Sequence, residues 1–145
     1  MPATILRRPV SVLVVVVSDD GYALLLHRQN PFDFWQSVTG SLQAGETHAA
    51  AARRELLEET GLSDEGTLRF SGMSRQFVID PRWRNKFEIG SVENVEFEWH
   101  YRLSARTDIQ ICENEHSDFC WLPVNEAAQK VWSWTNRDAL NGHCQ

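Results

Sequence analysis

At 145 residues, with 42% hydrophobic and 23% charged side chains, the chain suits one packed domain over 1–145 and excludes a disordered or collagen-like protein. Fourteen Lys and Arg against twenty Asp and Glu leave a net charge of −6, which argues against nucleic acid held by its phosphate backbone. A small anionic substrate would also be repelled at long range, so a polyphosphate needs something positive and local to hold it.

The longest apolar run, residues 10–17 with one serine in it, falls far short of the roughly 18 residues that cross a bilayer, so no membrane partner is expected. Arg7 and Arg8 ahead of it mimic the front of a secretory signal, but Asp19 and Asp20 follow at once with no small-x-small cleavage site. The run VSVLVVVVS, then DDG, then YALLLHR reads as a hairpin, because Asp and Gly tolerate tight-turn backbone angles. NPFDFWQSVTGS has turn chemistry at Asn30-Pro31, then aromatics, then one short strand ending at Gly40. From Thr47 to Thr60 the composition turns to the best helix formers, and Gly61 stands where it ends a helix. GTLRFSGMSRQFVI, ENVEFEWHYRL and SDFCWL are β-rich, and NEAAQKVW with NRDALNG suggest closing helices. The sum is α/β or α+β, a mixed sheet with few helices. Cys112, Cys120 and Cys144 form no CxxC pair, and an odd count fits a reducing, cytoplasmic setting. Cys120, inside DFCWL, reads as a small buried apolar residue.

The helix from Thr47 is the most informative segment. At about 100° per residue, with Glu55 at zero, Glu58 falls near 300° and Glu59 near 40°, so three carboxylates share a face flanked by Arg54. Ala49, Ala52 and Leu56 form a separate apolar stripe that would approach a sheet. Three carboxylates this close repel one another and cost stability unless a cation or proton intervenes. Oxygen ligands on a rigid element suit a hard ion such as Mg²⁺, whose remaining positions take water and phosphate oxygens.

Gly40, Glu46, Arg54, Glu55, Leu56, Glu58, Glu59, Gly61 and Leu62 satisfy the pattern G-x5-E-x7-R-E-U-x-E-E-x-G-U, with U aliphatic. The segment resembles the Nudix box. The resemblance implies an αβα sandwich on a mixed sheet, a loop-helix-loop catalytic element and Mg²⁺-dependent hydrolysis of a diphosphate linked to another group, with Mn²⁺ as a substitute ion. It implies that Glu55, Glu58 and Glu59 ligate metal, that the Gly40 carbonyl adds a ligand, and that Arg54 pairs with Glu46 to fix the loop. RRPVSVLVVV, DFWQSVTGS and SWTNR are similar to a branch of that family acting on a pterin triphosphate, which implies cleavage of dihydroneopterin triphosphate to its monophosphate and pyrophosphate. The segment from Ser74 to Glu93 departs from that branch. Other implied substrates are nucleoside triphosphates and dinucleoside polyphosphates; a nucleotide-sensing module without catalysis is the remaining alternative.

The narrower resemblance also singles out residues beyond the box. Glu115 matches a further metal-binding carboxylate, with Glu113 as the fallback, and Glu58 and Glu115 are both candidates for the general base. Neighbouring His116 could move a proton or be an ordinary loop histidine. Arg7 and Arg28 stand where guanidinium groups would meet phosphate oxygens. Thr39 and Ser133 match substrate-side hydroxyls, which could instead cap or close turns. Phe34, Trp35 and Trp134 would stack on a flat heterocycle or pack in the core. A monomer or homodimer is expected.

Overall fold

The computed structural model describes residues 6–143, and Cys144 lies outside them. In chain order the elements are β1 (Val10–Ser18), β2 (Tyr22–Arg28), β3 (Phe34–Gln36), β4 (Val38–Ser41), α1 (His48–Thr60), β5 (Thr67–Val78), a 3₁₀ turn (Arg84–Lys86), β6 (Glu93–Leu103), β7 (Asp118–Pro123), α2 (Val124–Lys130) and α3 (Trp134–His143). The seven strands make one mixed sheet. β1 runs parallel to β6 from Val10↔Val95 to Ser18↔Leu103 and antiparallel to β2 and β4 on its other side. β2 also pairs with β3 and β7, and β5 forms the edge beyond β6. Among the described residues no helix is long and apolar enough to cross a membrane.

The valine run of β1 does not alternate because helices cover both faces of the sheet. Val12, Val14 and Val16 join Leu24, Leu26 and Tyr101 beneath Ala51, Ala52 and Leu56 of α1. Leu13, Val15 and Val17 join Ala23 and Leu25 beneath Ala127 and Ala128 of α2 and Ala139 and Leu140 of α3. Each valine or leucine of these clusters taken from water contributes about 1.5–3 kcal/mol, so this two-sided burial makes β1 the rigid centre on which the site is mounted.

Two expectations change. The single strand ending at Gly40 is two strands, broken at Ser37 where the chain leaves β2 for β1. The Ser37 amide is bound there by Asn136 Oδ1 at 2.8 Å, and Asn136 Nδ2 returns a hydrogen bond to Ser37 Oγ at 2.9 Å. The second change concerns α1, whose acidic and apolar faces overlap. Its buried residues are Ala51, Ala52, Leu56, Glu59 and Thr60, while Ala49 is only partly buried. Glu59, near 40° on the wheel, lies between Ala52 and Glu55 and so points inward with the apolar stripe.

Candidate active site

The loop before α1 and the helix itself are fixed by local chemistry. Thr47 caps the helix, its hydroxyl accepting from the Ala50 amide at 3.1 Å, and Gly61 closes it with φ of 77° and an amide bond to the Leu57 carbonyl. Arg54 ties loop to helix. Its Nε and Nη2 donate to the two Glu46 oxygens at 2.8 and 2.9 Å, and Nη2 also reaches the Ser41 carbonyl at 3.0 Å. Its Nη1 donates to Glu55 at 2.7 Å and to Glu58 at 3.3 Å. Glu46 in turn accepts from the Gln43 amide at 2.9 Å. Arg54 holds Glu46 below its usual range, and Glu46 raises Arg54 further.

Gly40 is required here for space. A Cβ on it would overlap the Glu55 carboxylate, so the missing side chain lets that group lie directly against β4. Glu59 is 1% exposed, and neither of its oxygens has a hydrogen-bond partner. Burial first, and then the Glu55 and Glu115 charges, push it well above the usual carboxylate range. Burial likewise raises Glu55, against the pull of the Arg54 guanidinium that donates to it.

Glu59, Glu115 and His116 bring ligand atoms within 4.8 Å of one another. His116 is 1% exposed, with Nε2 3.5 Å from Glu59 and 3.3 Å from the Gln36 amide nitrogen, and its Nδ1 has no partner. Burial, and then the Arg28 charge, lower it to about 4, so the ring is neutral at pH 7. Buried, unsatisfied carboxylate oxygens beside a neutral imidazole are the donor set of a divalent-cation site. Glu58 lies apart, with a half-exposed side chain held by Arg54.

An open pocket of about 240 Å³ adjoins this cluster, lined by Arg28, Lys86, Glu113, Glu115, His116 and neighbouring polar residues. Burial and the Arg7 charge lower Arg28, while Glu115 and Glu59 raise it, so the cations and the carboxylates face each other across a short span. Arg7 is stitched by an isolated bridge to Phe87.

The remaining candidates are placed differently. Trp35 points to the other face of the sheet, stacked on His27 at 4.6 Å and packed toward the α2 core. Phe34 is buried in a group of rings with Phe32, Trp83 and Trp132. Thr39 donates its hydroxyl hydrogen to the Val12 carbonyl at 2.9 Å, leaving the oxygen as an acceptor only. Ser133 precedes α3, its hydroxyl 2.8 Å from that of Thr135, and Trp134 is 46% exposed at the start of that helix. α3 packs on the sheet face opposite α1. Cys120 is partly buried, packed against the α2 and α3 core. From the sequence His116 could move a proton or be an ordinary loop histidine, not a member of the ligand cluster, and Gln36 and Lys86 were passed over. Alternation along β2 and β3 places Gln36 with Leu26 on the α1 face, but nothing in the sequence signals that residue 86 folds back to Arg28.

A mixed sheet between helices, with a glycine-cradled carboxylate helix, is the architecture of a Nudix domain. The NUDIX domain model matches residues 7–141, and the chain belongs to that family. It is 37% identical over 144 residues to the dihydroneopterin triphosphate diphosphatase of Escherichia coli, covering 97% of this chain and 95% of that protein. It is 36% identical over 134 residues to the Haemophilus influenzae protein of the same name, covering 90% and 84%. The solved E. coli dihydroneopterin triphosphate pyrophosphohydrolase superposes with a TM-score of 0.90 at 35% identity, covering 95% of this chain and 96% of that one. A Caenorhabditis elegans Ap4A hydrolase, at 19% identity and a TM-score of 0.73 with 93% and 94% covered, shares the fold.

Proposed function

We propose that this chain hydrolyses dihydroneopterin triphosphate, breaking the anhydride between the α and β phosphates to give dihydroneopterin monophosphate and pyrophosphate. The observation that carries the reading is Glu59, fully buried with both oxygens unsatisfied, at the centre of an intact Nudix box in a chain alike over nearly its whole length to proteins of that activity. Nudix hydrolases generally use divalent metals. Glu55, Glu59, Glu115 and His116 would hold the ion, with the Gly40 carbonyl beside them and Glu58 as an outer partner. The all-oxygen majority of this set suits Mg²⁺, with Mn²⁺ able to replace it. When bound, such an ion neutralises phosphate charge and acidifies water.

The chain's own groups do the rest. Arg28 and Arg7 draw the phosphates into the pocket against the net negative charge of the protein. A water oxygen attacks phosphorus, the bond to the bridging oxygen breaks, and the water proton passes to a carboxylate. Glu115 lines the pocket, whereas Glu58 is engaged by Arg54, so Glu115 is the base we favour. No covalent enzyme intermediate is required, which leaves Cys112 and Cys120 without a part in the reaction. The reading treats 1–145 as one catalytic domain, cytoplasmic, acting as a monomer or homodimer on a small molecule rather than on nucleic acid.

A panel of triphosphates tests the substrate. Dihydroneopterin triphosphate should give the highest kcat/KM; faster turnover of dATP or of diadenosine tetraphosphate would replace it with a nucleotide-directed activity. A wild type that binds nucleotide with Mg²⁺ but cleaves nothing would make the domain a sensor.

A further inference from the structure

We infer that Lys86, from the segment joining β5 to β6, is a substrate-binding residue that completes a three-cation cradle with Arg28 and Arg7 for the pyrophosphate end of the substrate. This rests on the reading of the pocket as a triphosphate site. Lys86 and Arg28 line the same pocket as Glu115 and His116. Among the described residues, no carboxylate lies within ion-pair distance of Lys86, Arg28 or Arg7. Burial lowers Lys86, and the Arg28 and Arg7 charges lower it further, so the three cations act on one another. Such a group is self-repelling unless an anion sits among it, and in a protein of net charge −6 it is a local reversal of sign.

The placement of Lys86 is built by packing and backbone pairing. The Arg7 amide donates to the Lys86 carbonyl at 2.7 Å, and the Glu88 amide donates to the Arg7 carbonyl at 2.9 Å. Lys86 ends the 3₁₀ turn, anchored through Arg84 Nε to the Ile79 carbonyl at 3.2 Å. Just before that turn, Trp83 packs edge-on against Phe32 and Phe34, with ring centroids 5.5 and 5.6 Å apart. These rings lie on the loop and strand that follow β2, so the anchor holding Lys86 is tied to the chain that carries Arg28. A segment without regular periodicity therefore delivers its one lysine to a fixed place beside the carboxylates. A triphosphate carries most of its charge on the two outer phosphates, and that end gains most from a third cation.

The test titrates inorganic pyrophosphate into metal-free protein by calorimetry, using wild type, Lys86→Met and Lys86→Arg, with steady-state kinetics on dihydroneopterin triphosphate beside it. Loss of one charge-assisted contact should weaken pyrophosphate binding by about tenfold in Lys86→Met and raise KM similarly, with kcat within about twofold. Lys86→Arg should stay within about threefold of wild type, and the salt dependence of binding should be shallower for Lys86→Met. Equal pyrophosphate affinity in wild type and Lys86→Met, or no binding by wild type, overturns the assignment, even while dihydroneopterin triphosphate is still turned over. If another triphosphate is preferred and shows the same Lys86→Met defect, the substrate reading falls and Lys86 keeps its place. Should Lys86→Met not fold, Lys86→Gln takes its part under the same criteria.

Discussion

Glu59 is 1% exposed, neither oxygen is hydrogen-bonded and the neighbouring His116 Nε2 stands 3.5 Å off, so an ionised carboxylate in that position costs on the order of several kcal/mol unless a cation or proton compensates it. Its substitution should therefore separate stability from activity. In chelator at pH 8, Glu59→Gln should be more stable than wild type by about 1–2 kcal/mol, seen as a higher melting temperature, while hydrolysis falls by about a thousandfold or more. Added Mg²⁺ should then raise the wild-type melting temperature and leave that of the variant nearly unchanged. A variant less stable than wild type without metal would show that Glu59 has a protein partner and that the site is not built around an ion. Gly40 makes a complementary case. Because the group in the way of a new Cβ is the far end of a flexible side chain, Gly40→Ala should fold with a stability loss of about 1 kcal/mol or less, as Glu55 swings aside. Displacing a carboxylate by about an ångström should still lower kcat/KM by about a hundredfold, and wild-type-like kinetics would remove Glu55 from the chemistry.

At the scale of elements, α1 and its loop form one unit because a single guanidinium spans them. Lysine keeps the charge of Arg54 but not the fork that meets both Glu46 oxygens and the Ser41 carbonyl together. Arg54→Lys should lower divalent-metal affinity by about tenfold to a hundredfold in a direct titration, with a stability loss of about 1–3 kcal/mol. Unchanged metal affinity would mean that the loop does not order the carboxylates. The boundaries of this unit were legible in the sequence because their causes are local: a capping hydroxyl at Thr47, a left-handed glycine at Gly61, helix formers between. The hairpin of β1 and β2 was legible for the same reason, with Gly21 turning at φ of 88°. What could not be read depends on partners far along the chain. The break at Ser37 exists because Asn136, 99 residues away, binds the amide that the sheet ladder gives up. The helical wheel gathered Glu55, Glu58 and Glu59 and set Glu59 nearest the apolar stripe, but how deeply it is buried depends on how α1 rolls against Val12 and Leu26. His116 looked like a loop residue until β7, paired with β2, carried it beneath Glu59 and Gln36.

Across the whole molecule, the sheet face under α3 holds a second set of acids that makes global stability pH-dependent. Glu96 in β6 is 6% exposed, and its Oε1 has no partner. Burial pushes it up to about 7, although the Thr135 hydroxyl and the Arg75 charge pull the other way. Glu98, two residues on, is held at about 2, its burial outweighed by His100 and Arg75. The two therefore act with opposite sign. Between about pH 4.5 and 7 the unfolded chain has lost the Glu96 proton and the folded chain keeps it, so stability falls as pH rises through that window. For Glu98 the folded state is the one ionised between about 2 and 4.5, so its contribution is present above that range and is lost on acidification. Glu96→Gln should remove the first dependence and leave the second. Measured by denaturant unfolding in chelator, wild type should lose up to about 3 kcal/mol more than the variant between pH 5 and 8, while their acid limbs coincide. Taking the difference between the two proteins cancels the Glu55 and Glu59 contributions, which rise and fall identically in both as long as the α1 face is undisturbed. Parallel curves from pH 5 to 8 would place the Glu96 carboxylate in contact with a compensating donor, and the polar layer beneath α3 would then be fully satisfied at neutral pH.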